Sequence, residues 1–197
     1  MDTRGKRIIL ASNSPRRREL LAGLDIEFTV DTGTSFIEEY SPDIPHVKVP
    51  ELMSEGKSSC FHRELEENEI LVTSDTMVLC GSEILGKPCD RADAVRMLRL
   101  LSGRGHQVIS AVTIRDTRKA KTFSVSTDVY FKNLSDSEID YYIDNFKPFD
   151  KAGAYGIQEW IGYIGITRID GSFYNVMGFP TQRFYEELQD FIRQIPI

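Results

Sequence analysis

The sequence of 197 residues has few cysteines and no long apolar run. Its three cysteines, Cys60, Cys80 and Cys89, are odd in number and include no C-x-x-C pair, so we expect neither a disulfide framework nor a zinc site. No stretch is long and apolar enough for a transmembrane helix, and the first apolar run is too short for a secretion signal. These absences favour a cytoplasmic protein with no membrane partner.

The sequence also lacks an excess of positive charge and the common nucleotide-binding fingerprints. Its 24 Lys and Arg residues stand against 30 Asp and Glu residues, and the formal net charge of −6 argues against a broad nucleic-acid-binding face. There is no complete G-x-x-x-x-G-K-[ST] phosphate loop and no G-x-G-x-x-G dinucleotide motif. A local basic cluster therefore suggests a small anionic ligand.

Such a cluster follows the first apolar segment. Residues 10–21 read Leu-Ala-Ser-Asn-Ser-Pro-Arg-Arg-Arg-Glu-Leu-Leu, in which Ser14 suits a helix N-cap and Pro15 the first turn. Arginines at the positive end of the helix dipole are unfavourable unless an anion offsets them. We expect a phosphate here, bound by backbone N–H groups, by the Ser12 or Ser14 hydroxyl and by the guanidinium groups. Arginines that extend into solvent are the competing interpretation.

A carboxylate interrupts the most apolar segment of the chain. Residues 70–80 form a hydrophobic strand with Asp75 near its middle. A buried carboxylate is costly unless it is paired, bound to metal or shifted in pKa, so Asp75 is a candidate functional residue. Strand alternation puts Asp75 and Thr76 on opposite faces unless the strand breaks there.

The remaining pattern predicts one mixed α/β unit with a strand-rich middle. Helices are expected at 15–23, 46–65, 91–102, 136–145 and 181–193, and strands at 6–11, 26–31, 70–80, 107–115, 121–132 and 160–170. His106 is expected to be structural. The polar residues that stand out are Ser12, Arg16, Arg17, Glu39, Lys57, Asp75, Lys87 and Gln158. On residue types alone they indicate an anion-binding α/β protein, with phosphoryl chemistry as one interpretation.

Seven motifs occur in a fixed order between residues 11 and 180. They are Ala11-Ser12-Asn13-Ser14-Pro15-Arg16-Arg17, Glu38-Glu39, Ser74-Asp75-Thr76, Gly86-Lys87-Pro88, Leu101-Ser102-Gly103 with His106, Lys151-Ala152-Gly153-Ala154-Tyr155-Gly156-Ile157-Gln158, and Asn175-Val176-Met177-Gly178-Phe179-Pro180. In this order the motifs resemble those of the Maf family of nucleoside triphosphate pyrophosphatases. The Ala-Gly-Ala-Tyr-Gly-Ile-Gln form of the sixth motif resembles the branch that hydrolyses dTTP and UTP. Ser74 departs from the alanine that is usual before Asp-Thr, and the proline-rich segment between Glu39 and Lys57 matches loosely.

The resemblance implies a fold and a reaction. The implied fold is mixed α/β, with a strand-rich central sheet flanked by helices, in an elongated, two-lobed single domain over residues 1–197 with a central cleft, as in inosine triphosphate pyrophosphatases. The implied reaction cleaves dTTP and UTP, or modified pyrimidine nucleotides, between the α- and β-phosphates to give a nucleoside monophosphate and pyrophosphate. A divalent cation, Mg²⁺ or Mn²⁺, and a homodimer are implied as well.

The resemblance also implies a role for each site residue. Asp75 would orient or deprotonate the attacking water and share the metal with Glu39, whose hard oxygens suit Mg²⁺. Substrate binding is implied for Ser12, Arg16, Arg17, Lys57, Lys87 and Gln158, and substrate choice for Arg16, Thr76 and Gln158. Gln158 would contact the imide edge of uracil or thymine, and a single methyl group is worth only about 1 kcal/mol in an apolar pocket, so we expect both dTTP and UTP to be accepted.

Three other interpretations remain open at this stage. An inosine- or xanthosine-type triphosphate pyrophosphatase would use the same phosphate chemistry with a purine pocket. A nucleotide-binding regulator of septum formation would bind without cleaving, although pure binding does not need carboxylates beside a polyanion. The last interpretation is an α/β protein whose charges are merely solvated.

Overall fold

The computed structural model describes residues 3–37 and 39–194. The helices are α1 (Pro15–Ala22), α2 (Val49–Ser59), α3 (Arg91–Leu101), α4 (Asp136–Phe146), α5 (Trp160–Gly165), α6 (Phe173–Met177) and α7 (Thr181–Arg193). The strands are β1 (Arg7–Leu10), β2 (Phe28–Val30), β3 (Glu69–Cys80), β4 (Glu83–Leu85), β5 (Gly105–Arg115), β6 (Ala120–Phe131) and β7 (Ile166–Asp170). No helix within the described residues is both long enough and apolar enough to cross a membrane.

The seven strands form one mixed sheet. Their order is β2-β1-β3-β5-β6-β7, and β4 pairs with β3 outside this path. β1 runs parallel to both β2 and β3, with Leu10 opposite Val30 and Val72, whereas β3–β4 and β6–β7 are antiparallel. The expectation of a mixed α/β fold with a strand-rich sheet and flanking helices is confirmed.

The chain divides into two compact units. Among the described residues, the first comprises those up to Asp75, Ser110–Val125 and those from Gly178 onward, and the second comprises Thr76–Ile109 and Ser126–Met177. The first unit therefore holds β1, β2, α1, α2 and α7, and the second holds β4, α3, α4, α5, α6 and β7. The expectation of a single domain over residues 1–197 stays a prediction.

Local signals explain the starts of three helices. Ser14 caps α1, Asp90 caps α3 by accepting the N–H of Asp93, and Ser135 with Glu138 forms a complete capping box on α4. The core-facing side chains of α7, such as Phe184 and Leu188, recur at the spacing of a helix face and are fully buried. These four helices are where the sequence predicted them.

Two expected elements were wrong in detail. The helix predicted over 46–65 ends at Ser59, because the chain then turns so that Phe61 pairs with Thr34 in an isolated bridge. The strand predicted over 160–170 begins only at Ile166. Residues 160–165 are helical, since Ile161 and Gly165 are buried four residues apart, which is helical rather than strand spacing.

Candidate active site

The start of α1 brings together two serines and an arginine. The Ser14 hydroxyl accepts the backbone N–H of Arg17 at 3.4 Å, as an N-cap does. Ser12 is buried, and its hydroxyl accepts the N–H of Ser14 at 3.2 Å and the Nη1 of Arg17 at 3.4 Å. The hydroxyl and guanidinium groups expected to bind phosphate therefore lie within one turn.

Arg17 also bonds to the backbone of two distant segments. Its Nε donates to the carbonyl oxygen of Gly178 at 3.0 Å, and its Nη1 donates to that of Ser74 at 2.9 Å. Arg16 is half-buried in the same turn, and Arg18 is exposed. Arg17 thus fixes the start of α1 against the residue that precedes Asp75.

The burial of β3 is interrupted at one place. Its residues are buried along the strand except Asp75 and Thr76, which are half-buried. The preceding Ser74 is 1% exposed, and its Oγ has no hydrogen-bond partner among the described residues. An otherwise apolar strand therefore opens to solvent at the carboxylate that the sequence singled out.

Asp75 is paired with Lys57. The Lys57 Nζ lies 2.6 Å from the Asp75 Oδ1, and both side chains are about one-sixth exposed, at 17% and 18%. Water screens such a pair much less than it screens a surface pair. The ammonium group neutralises the carboxylate at a position that a small ligand can still reach.

Hydroxyl groups fix the helix that carries Lys57. The Ser54 Oγ lies 2.9 Å from the Thr113 Oγ1 and donates to the carbonyl of Thr73 at 3.2 Å, while the Thr73 Oγ1 donates to the carbonyl of Ser54 at 2.7 Å. Four residues later, Ser58 receives the Arg115 guanidinium on its Oγ at 3.1 Å and on its carbonyl at 2.7 Å. Ser54, Lys57 and Ser58 share one helix face by their i, i+3, i+4 spacing, so these bonds direct Lys57 towards β3.

Glu39 lies 18 positions before Lys57 in the sequence. It is exposed on the irregular segment between β2 and α2, where its backbone N–H donates to the carbonyl of Ile37 at 2.9 Å. Its neighbour in the expected motif, Glu38, lies outside the described residues. The role of Glu39 as a metal ligand stays a prediction.

The described part of the chain contains no group of three or more His, Cys, Asp or Glu residues placed to hold a metal ion. Mg²⁺ in phosphate-transfer sites usually takes one or two carboxylates from the protein and its other ligands from phosphate and water. The donor chemistry of Asp75 and Glu39 fits that pattern, because carboxylate oxygens are the hard ligands that such cations prefer.

The remaining expected residues lie in the second unit. Lys87 is exposed in the loop after β4, and Thr76 is half-buried. Gln158 is half-buried, yet its Oε1 is fully buried and has no hydrogen-bond partner among the described residues. A buried acceptor without a donor is costly, so an N–H group brought to this oxygen would be stabilising.

His106 is structural, as expected. It is 3% exposed, its Nε2 lies 2.7 Å from the Tyr155 hydroxyl, and its ring stacks on Phe131 at 5.6 Å between centroids. Burial lowers the pKa of His106 to about 4, so the ring is neutral at physiological pH.

Tyr142 makes polar contacts that were not predicted from the sequence. Its side chain lies on α4 and is fully buried. However, its hydroxyl accepts the N–H of Gly156 at 2.9 Å and donates to Glu159. A tyrosine among buried isoleucines was the available signal, because a buried phenol hydroxyl needs a polar partner.

Comparison with known proteins agrees with the motifs. The family model described as Maf-like protein matches residues 7–191. Three similar proteins, each named dTTP/UTP pyrophosphatase, come from Porphyromonas gingivalis (49% identical, 94% of each chain covered), Bacteroides thetaiotaomicron (48%, 92% of this chain and 94% of the relative) and Parabacteroides distasonis (48%, 94% and 96%).

A structure comparison finds a HAM1 protein from Coxiella burnetii, with a TM-score of 0.44 and 12% identity over 95% of this chain and 97% of that one. The family model and the relatives both extend over most of the chain. On this basis, the chain belongs to the Maf family.

Proposed function

We propose that the protein hydrolyses dTTP and UTP between the α- and β-phosphates, releasing a nucleoside monophosphate and pyrophosphate. The observation that carries the proposal is the half-buried Lys57–Asp75 pair at 2.6 Å, in the one opening of an otherwise buried strand. Relatives that are 48–49% identical over more than nine-tenths of the chain bear the name dTTP/UTP pyrophosphatase.

The start of α1 is proposed to bind phosphate. Ser12 and Arg17 already lie together there, and Arg16 belongs to the same turn. Helix N-termini favour anions, and guanidinium groups form charge-assisted hydrogen bonds with phosphate oxygens. A bound triphosphate would also offset the repulsion between the arginine charges and the positive end of the helix dipole.

Asp75 is proposed to accept the proton of the attacking water. Phosphoryl transfer needs the nucleophile oriented and the charge of the phosphates neutralised, more than it needs covalent chemistry from the protein. Lys57 holds Asp75 in place before substrate binds, and an incoming phosphate offers the ammonium group a second anionic partner. Lys87 is proposed to neutralise the leaving pyrophosphate.

A divalent cation, Mg²⁺ or Mn²⁺, is proposed to be held by Asp75 and Glu39. When bound, such an ion offsets the negative charge of the phosphate oxygens. The protein supplies two carboxylates, and the phosphates and water supply the remaining ligands.

Gln158 is proposed to recognise the base. Its buried Oε1 has no donor among the described residues, and the N3–H of uracil or thymine is a donor of the required kind. Cytosine carries no hydrogen at N3, so it cannot donate to that oxygen from this position, and its only Watson–Crick-edge donor is the displaced 4-amino group. Thr76 and Arg16 are proposed to contribute to substrate choice, and both pyrimidine substrates are accepted because this contact does not test the 5-methyl group.

The experiment is turnover of dTTP, UTP, CTP, ITP and 7-methyl-GTP with Mg²⁺ or Mn²⁺, with pyrophosphate assayed separately from orthophosphate. The expected result is pyrophosphate from dTTP and UTP. Preference for ITP or 7-methyl-GTP would overturn the assignment of Gln158 but keep the phosphate site. No turnover of any nucleotide would overturn the proposed activity and favour a nucleotide-binding regulator.

A further inference from the structure

A buried polar network closes the loop that carries Gln158. The loop spans residues 151–159, and the network consists of Tyr142 on α4 together with Lys151 and Glu159 at the two ends of the loop. These side chains all belong to the second unit. None of the three was expected to have a role in the reaction.

Tyr142 links the middle of the loop to its end. Its hydroxyl accepts the N–H of Gly156 at 2.9 Å and donates to the Glu159 carboxylate. Burial, and then the nearby Glu159, raise the pKa of Tyr142 well above its usual value, so the phenol keeps its proton and remains a donor. Gln158 lies with Ile157 between these two anchored positions, Gly156 and Glu159, and Glu159 is its direct neighbour.

Lys151 links the start of the loop to the same carboxylate. Its Nζ lies 3.0 Å from the Glu159 Oε1 and 2.8 Å from the Asp150 Oδ1, and its side chain is only 9% exposed. A buried ammonium group is tolerated only with such partners. The carboxylate of Glu159 therefore receives one bond from the Tyr142 hydroxyl and one from the Lys151 ammonium group. The bond from Lys151 links the two ends of the loop.

One further bond connects this loop to the loop of Lys87. The N–H of Gly153 donates to the carbonyl of Gly86 at 3.0 Å. Gly153 has a φ of +69°, a conformation that suits glycine, and an added Cβ would lie 3.0 Å from the Val78 side chain. A side chain at position 153 would therefore be strained and would crowd Val78 where the two loops approach one another.

We infer that Tyr142 and Glu159 are positioning residues for base selection: they hold the loop so that the Gln158 Oε1 stays fixed as an acceptor. The inference rests on the proposed role of Gln158. Neither side chain is proposed to contact the base. Both act through Gln158, because a loop whose support is lost lets the amide rotate and accept bases with a different hydrogen-bond pattern.

The test is the ratio of kcat/KM for dTTP to that for dCTP in the full-length protein and its Tyr142→Phe variant. The variant keeps the ring, which stacks on Phe146, and removes only the hydroxyl. We expect the ratio to fall by about fivefold or more, since a hydrogen bond to a charged group and one to a backbone N–H are both lost. A loss of folded enzyme alone lowers both kcat/KM values equally and leaves the ratio unchanged.

Tyr141→Phe is the matched control. Tyr141 is the preceding residue on α4, is 50% exposed and packs on Trp160, so loss of its hydroxyl is expected to leave the ratio as in the wild type. Glu159→Gln is the second variant, and it tests the positioning role if Tyr142→Phe does not fold. It keeps an acceptor for Tyr142 but removes the charge that pairs with Lys151, so the ratio is expected to move in the same direction.

A Gln158→Ala arm separates the possible failures. An unchanged ratio in Tyr142→Phe and Glu159→Gln, with a lowered ratio in Gln158→Ala, overturns the positioning role and leaves base recognition by Gln158 intact. An unchanged ratio in Gln158→Ala, or equal use of dTTP and dCTP by the wild type, overturns base recognition and the positioning role with it.

Discussion

Lys57 and Asp75 are the residue pair on which the proposed chemistry depends. Their 2.6 Å contact is half-buried, so each charge relies on the other more than in a surface pair. Lys57 was the least direct of the assignments made by resemblance, because the proline-rich segment before it matches the family loosely. The contact with Asp75 supports the proposed role of Lys57 on physical grounds that do not depend on the resemblance.

Replacing Lys57 with methionine tests that reason. We expect kcat/KM for dTTP to fall by about 100-fold or more, because the variant loses both a charge that neutralises phosphate and the partner of Asp75. The matched control is Lys48→Met, since Lys48 lies just before α2, is 61% exposed and pairs only with Glu51 among the contacts seen for it. Steady-state kinetics give the result, and equal effects of the two variants would contradict the assignment.

The buried His106 predicts how stability depends on pH. Its pKa is lowered from 6.5 to about 4 in the folded protein, so between these values the unfolded chain binds a proton that the folded chain excludes. This contribution is fully present above pH 6.5 and is lost as the pH falls towards 4, by about 3 kcal/mol. Urea unfolding of wild type and His106→Asn at pH 7 and pH 4.5 measures it. A pH dependence equally steep in both proteins would contradict the prediction.

At the scale of elements, α2 is held on the sheet by hydroxyl groups rather than by apolar packing alone. Ser54, Thr73 and Thr113 are each at most 1% exposed and bonded to one another or to backbone carbonyls. Thr113 also lies 3.0 Å from the Thr122 hydroxyl. Such a network fixes the helix at one position along its axis, because hydrogen bonds are directional. Apolar contacts alone specify that position less strictly.

Thr113→Val tests the network with a change that conserves shape. We expect it to lower the free energy of unfolding by about 1–3 kcal/mol, because the hydroxyls of Ser54 and Thr122 lose a buried partner. Thr122→Val removes only the outer bond and is expected to cost less. Urea titrations of both variants decide this, and an equal cost or no cost for Thr113→Val would show that the hydroxyl bonds do not support α2.

Elements were predictable from the sequence where their signals are local. Ser14, Asp90 and the pair Ser135–Glu138 are residue types that favour helix starts, and each of them caps a helix in the structure. Residues 160–165 were not predictable, because Trp-Ile-Gly-Tyr-Ile-Gly is a short apolar run that suits a buried strand as well as one or two helical turns. Burial of Ile161 and Gly165, which is a tertiary effect, decides between the two.

At the scale of the whole molecule, the fold class was predictable from the sequence, whereas the contacts that support the candidate residues were not. Asp75 was predictable since a carboxylate in an apolar strand is itself a signal. The Arg17–Gly178 bond joins residues 161 positions apart, and the Tyr142–Gly156 bond joins residues 14 positions apart. No local sequence pattern predicts such bonds. The proposed reaction comes from the order of the motifs, and the structure explains how individual side chains are held in place.

The most direct test of the proposed chemistry compares the wild type with Asp75→Asn. Products of dTTP hydrolysis are separated and quantified as dTMP, pyrophosphate and orthophosphate, and thermal melting with and without dTTP reports binding. The surface variant Asp140→Asn, on a residue 52% exposed at its side chain, is the control for the same chemical change.

The wild type and Asp140→Asn are expected to release dTMP and pyrophosphate in equal amounts. Asp75→Asn is expected to be slower by about 10²- to 10⁴-fold, the usual contribution of a general base, while dTTP still raises its melting temperature. Orthophosphate as the wild-type product, or turnover by Asp75→Asn within about tenfold of wild type, would contradict α–β cleavage in the first case and the role of Asp75 in the second.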